Sequence, residues 1–119
     1  MSTVKETVFI DRDNSIRLIL SEEGTLFADK YPGITPTRWV FTINTTVPIV
    51  VDSTVTPSAF TWDGVHSIIE IHLGALVTTA VGYTTATLVI YSPIWPDGVV
   101  WINPTCTPDK LLVRICDNS

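Results

Sequence analysis

The stretch Thr37-Arg38-Trp39-Val40-Phe41-Thr42-Ile43-Asn44 decides the fold. Trp39, Phe41 and Ile43 fall on one side and Arg38, Thr42 and Asn44 on the other, the period of two that a pleated strand takes when one of its faces is buried. A helix would need apolar residues three and four apart over several turns, and no segment of the chain sustains that stripe. The three inward residues are therefore expected in the core of an all-β protein.

The same period recurs on both sides. Towards the N-terminus, residues 4–11 set Val4, Val8 and Ile10 against Lys5, Thr7 and Asp11. The turn Asp11-Arg12-Asp13-Asn14 then leads into a strand with Ile16, Leu18 and Leu20 inward, so an opening hairpin is predicted. A connection from Thr25 to Pro36 carries Pro32-Gly33, a turn pair in which glycine takes positive φ. Towards the C-terminus, Pro48 to Ser53 reads as a short strand whose proline, unable to donate to a ladder, suits an edge or a strand start. Residues 54–65 read as a loop with a short strand at Ala59 to Trp62. Ile69, Ile71 and Leu73 alternate with Glu70 and His72. The interval Gly74 to Gly82 breaks the pattern and has room for one helical turn. Thr84 to Ser92 and Val99 to Asn103 are paired across a tight turn at Pro93 to Gly98. Lys110 to Cys116 closes the series with Leu111, Val113 and Ile115 inward. Eight or nine strands separated by turns predict one antiparallel β-sandwich, Ig-like or jelly-roll-like, over residues 1–119.

Composition narrows the function. At 119 residues the chain is long enough to bury roughly two-thirds of its unfolded surface without a metal or disulfide. Its residues are 45% hydrophobic and only 16% charged, a balance that fits either a well-filled core or surface covered by a neighbouring subunit. A formal charge of −5 without a cluster of Lys and Arg argues against direct nucleic-acid binding. No apolar run reaches the roughly 20 residues of a membrane helix, so no membrane partner is expected. The residues after Met1 lack the pattern of a secretory signal, which predicts synthesis in the cytoplasm.

Little in the sequence points to chemistry. His66, Glu70 and His72 share a strand, but only the last two are close enough to meet one ion, and two ligands do not make a metal site. Asp11, Asp13, Ser15 and Glu22 echo a calcium loop, yet Ile16 stands where that loop needs glycine. Cys106 and Cys116 read as free thiols or as a disulfide across the C-terminal hairpin. No nucleophile elbow or phosphate-cradling loop is present, so no enzyme activity, metal or cofactor is expected. Four tryptophans are many for this length. Trp62 and Trp95 are predicted in turns where, with Tyr31, they can anchor a protein interface, plug one end of the sandwich or stack on a sugar.

Three stretches carry a resemblance in their order. The first is Asn14-Ser15-Ile16-Arg17-Leu18-Ile19-Leu20 with its crossover through Pro32-Gly33-Ile34-Thr35 to Arg38-Trp39-Val40-Phe41-Thr42-Ile43. The second is Ile69-Glu70-Ile71-His72-Leu73. The third is Gly82-Tyr83-Thr84-Thr85-Ala86-Thr87-Leu88-Val89-Ile90 with the Asp97-Gly98 hairpin. Over about residues 7–103 the chain resembles the β-sandwich modules of bacteriophage virions, such as the N-terminal domain of the baseplate upper protein family. That resemblance implies a virion structural protein of the tail, neck or capsid surface. Its partners would be copies of itself and other virion proteins, with no catalytic residues to transfer. The rival expectation is a carbohydrate-binding module that uses Trp62 and Trp95.

Overall fold

A computed structural model describes residues 3–22, 24–76, 78, 80–105, 107 and 110–117. In chain order these form β1 (Thr3–Phe9), β2 (Asp13–Ile19), β3 (Ser21–Glu22), β4 (Thr25–Leu26), α1 (Phe27–Lys30), β5 (Arg38–Ile43) and β6 (Ile49–Asp52). After a single 3-10 turn at Pro57–Ala59 come β7 (Phe60–Asp63), β8 (Ile68–Ala75), β9 (Gly82–Ser92), β10 (Trp95–Ile102) and β11 (Lys110–Cys116). The protein is mostly β, as the period of two predicts.

One sheet has six strands in the order β1-β11-β9-β5-β6, with β10 also on β9; a second has three, β2-β8-β7; β3 and β4 form a small pair of their own. The long β9 organises the larger sheet. It pairs with β5 along Ala86–Tyr91 on one side, and on the other with β11 over Gly82–Thr85 and then β10 over Leu88–Ser92. Residues of both large sheets meet in one core. Trp39, Phe41, Ile43, Ile16, Leu18, Leu20, Ile69, Ile71, Leu111, Val113 and Ile115 are all buried there, whereas Leu73 is only partly so. Each such side chain contributes about 1.5–3 kcal/mol when fully removed from water. The radius of gyration, 14.1 Å, is close to the ~13–14 Å of a compact domain this long.

Three expectations are corrected. The opening strands do not form a hairpin: β1 runs parallel to β11, from Thr3 opposite Lys110 to Phe9 opposite Cys116, while β2 pairs with β8. The large sheet is therefore mixed, not antiparallel. The corner is turned at Asp11, which has φ 59°, and Asn14 occupies the peptide groups of Phe9 that a hairpin partner would have taken. Next, a helical turn lies at Phe27–Lys30, and among the described residues of the interval Gly74 to Gly82 there is none: β8 continues to Ala75 and Leu76 bridges Ile10, while Val77 and Thr79 lie outside the described residues. Finally, the β9–β10 turn is Pro93-Ile94 alone, and Pro96-Asp97-Gly98 form an irregularity inside β10. Gly98 suits that place. Its φ is +82°, and an added Cβ would lie 2.8 Å from the side chains of Val89 and Tyr91.

Candidate interaction site

The short helix α1 brings the aromatic residues together. Phe27 is buried, and its ring centroid lies 5.3 Å from Trp62, 5.3 Å from Trp101, 5.4 Å from Tyr31 and 6.2 Å from Trp95. Tyr31 meets Trp95 edge-on at 4.8 Å, and Trp39 carries the cluster on through Trp62 at 5.1 Å and Phe60 at 6.4 Å. Edge-to-face contacts of this kind add about 0.5–1.5 kcal/mol beyond area burial. The helix is too short to hold itself in place and is fixed from outside. Phe27 N–H donates to Leu20 O, Ala28 N–H donates to Ser67 Oγ at 2.8 Å, and Lys30 pairs with Glu22 at 3.0 Å. Ser67 is buried with φ 57°, a strained backbone held by the Ala28 bond to its hydroxyl and by the Leu20 N–H that donates to its carbonyl.

The structure thus places Trp62 within β7 and Trp95 at the start of β10. Both are half-buried against Phe27 in company with Tyr31. The sequence reading missed the hub, Phe27, because a lone phenylalanine in an irregular connection has no periodicity to give it away. It also gave no role to Trp101, whose strand is interrupted by the irregularity before Val99.

The two sheets show different outer faces. On the three-stranded sheet, Ser15 Oγ lies 3.0 Å from His72 Nδ1, and His72 Nε2 is 3.4 Å from both Thr61 Oγ1 and Glu70 Oε1. His66 is elsewhere, bonded at 2.8 Å to Asp63, and this bond holds the Asp63 carboxyl below its ordinary range. Among the described residues no group of three His, Cys, Asp or Glu converges as metal ligands would. Asp13 and Ser15 lie on β2, with the buried Ile16 beside them, so the segment is strand and not a calcium loop. Cys116 is half-buried at the end of β11; Cys106 lies outside the described residues.

The outer face of the six-stranded sheet is built from valine and threonine. Cross-strand register aligns Val100, Val89, Val40 and Asp52 in one row and Thr87, Thr42 and Val50 in the next. Arg38 is tied down within the face. Its guanidinium bonds Asp52 at 2.6 and 3.1 Å and stands 4.7 Å from the Tyr91 ring centre, while Arg114 stands 5.8 Å from that of Tyr83. Arg38 and the amide and hydroxyl of Thr54 together hold the Asp52 carboxyl far below the usual range. Val50 is 57% exposed and Val100 45%. Where Arg38 is paired with Asp52 and valines stand in water, covering this part of the face costs little and removes apolar area from solvent.

Among known proteins, no family model and no curated sequence matches this chain.

Proposed function

We propose that the protein is a non-catalytic structural component of a bacteriophage virion, in its tail, neck or capsid surface, and acts through protein–protein contacts in a symmetric assembly. In this reading the two large sheets form a single β-sandwich and the outer face of the six-stranded sheet is the principal contact. The observation that carries the contact is the Val/Thr face on which Arg38 is already engaged by Asp52 and the Tyr91 ring. The virion context rests on the resemblance in strand order.

The mechanism is complementary burial. A standard interface removes about 1,600 Å² from water, and symmetry multiplies contacts that are individually weak. Copies of this chain and other virion proteins are the partners; no cofactor or nucleic acid takes part. Tyr31, Trp62 and Trp95 supply secondary contacts through the parts of their rings left open. Among the described residues no helix is long and apolar enough to cross a membrane.

The carbohydrate reading has less behind it, because sugar stacking needs a free ring face and these rings already meet one another. The test is recovery of the protein from intact particles. Stoichiometric presence is expected, and consistent absence from any particle would overturn the reading.

A further inference from the structure

β1 and β2 leave their connecting turn in different sheets, and each is the edge of its own sheet. Where they part, Asn14 pins them together. Its side-chain oxygen accepts from Phe9 N–H at 2.8 Å, and its Nδ2 lies 2.8 Å from the carbonyls of Phe9 and Arg12 and 3.2 Å from that of Gly74. Farther from the turn the strands diverge. Between Val4 and Ile19 they leave a cleft of about 230 Å³ with Leu18, Trp101 and Leu111 in its walls. Val4 is 44% exposed there and Ile19 65%.

The backbone at this cleft is open. Leu20 N–H donates to Ser67 O at 2.7 Å, towards the β8 side. Residues of an antiparallel strand alternate between facing the partner and facing away, so Ile16 and Leu18 share that direction. The peptide groups of Arg17 and Ile19 then point along the free edge. The β6 edge, and the end of β1 near the turn, are better guarded. β6 begins after Pro48, which has no N–H, and the Asp52 carbonyl already accepts from Val55 and Thr56. On β1, Asn14 takes both groups of Phe9.

The charge at the cleft is opposite to that of the molecule. Arg17 and Lys110 line it, in a chain with a net charge of −5, and Arg17 has no ion-pair partner among the described residues. Two copies pairing β2 to β2 would bring these arginines together, which disfavours a second copy as occupant.

We infer that the β1–β2 cleft is a docking site for an extended segment of a different protein, one in which apolar and acidic residues alternate, and that this segment adds to the free edge of β2. Its peptide groups pair with those of Arg17 and Ile19. Its inward side chains cover Leu18 between Val4, Trp101 and Leu111, and its outward carboxylates lie beside Arg17, with Lys110 on the opposite wall. Glu6, opposite Val113 on the inward face of β1, has its carboxyl pushed up by burial and would repel an acidic side chain directed inward. The inference rests on the assembly reading for the existence of a partner, but it uses a separate surface.

The test is amide exchange by NMR on the full chain, with a blocked heptapeptide of alternating valine and glutamate and its lysine counterpart as probes. The glutamate peptide is expected to slow exchange at Arg17 and Ile19 by at least about tenfold at saturation, and the lysine peptide to leave both unchanged. Arg17→Glu, at an exposed position, is expected to reverse that preference. No slowing with the glutamate peptide at millimolar concentration, or equal slowing with both peptides, would overturn the inference. If the protein is nonetheless recovered from particles, the assembly reading stands without this site. Protection by the peptide in a protein absent from every particle would leave the site and remove that reading.

Discussion

Ser67 carries more of the fold than its size suggests. Its hydroxyl accepts the Ala28 amide, its carbonyl accepts the Leu20 amide, and its backbone sits at φ 57° to do both. Ser67→Ala leaves the Ala28 amide without its acceptor, and the expected loss is about 1–3 kcal/mol in chemical denaturation. Glu6 works in the other direction. Burial raises its carboxyl pKa, so the folded chain holds that proton more tightly than the unfolded one. Its stabilising contribution is therefore present below the ordinary carboxyl range and is lost as pH rises through the raised folded value. Glu6→Gln is expected to raise the melting temperature at pH 7, with the gain shrinking towards pH 4. A gain that is equal at both pH values would show that the charge is not the cause. Neither residue is legible in the sequence, since strain and desolvation exist only once distant segments have met.

At the scale of elements, period two identified the strands and their inward faces but not their partners. Trp39, Phe41 and Ile43 on β5 and Leu111, Val113 and Ile115 on β11 are buried as their alternation requires. The same alternation cannot tell a parallel neighbour from an antiparallel one, and so the pairing of β1 with β11 was not visible. The aromatic cluster was half legible. Tryptophans at 62 and 95 stood out by type and position, but the helix that gathers them is only four residues long and is capped by a serine 39 positions away from the amide it accepts. Phe27→Ala removes the ring on which Tyr31, Trp62, Trp95 and Trp101 converge. The expected cost is about 3–5 kcal/mol, with tryptophan emission shifted to longer wavelength as water reaches the cluster. Unchanged emission and stability would mean that the strands position these rings without the helix.

For the whole molecule, the asymmetry between the two outer faces is the main functional clue. One carries Ser15, Arg17, Thr61, Asp63, Glu70 and His72, with Ile19 and Ile68 at one end. The other presents Val40, Val89, Val100, Thr42, Thr87 and Val50, with Arg38 bound to Asp52. The low fraction of charged residues hinted at a covered surface, but only the sheet register shows which face is apolar. The most direct test is the mass of the protein in solution by light scattering, measured for the natural chain beside Val50→Lys, which puts a charge on that face at an exposed position. A discrete oligomer that Val50→Lys converts to monomer is the predicted result. A natural chain that stays monomeric at every concentration, or an oligomer indifferent to Val50→Lys, would contradict assembly through this face.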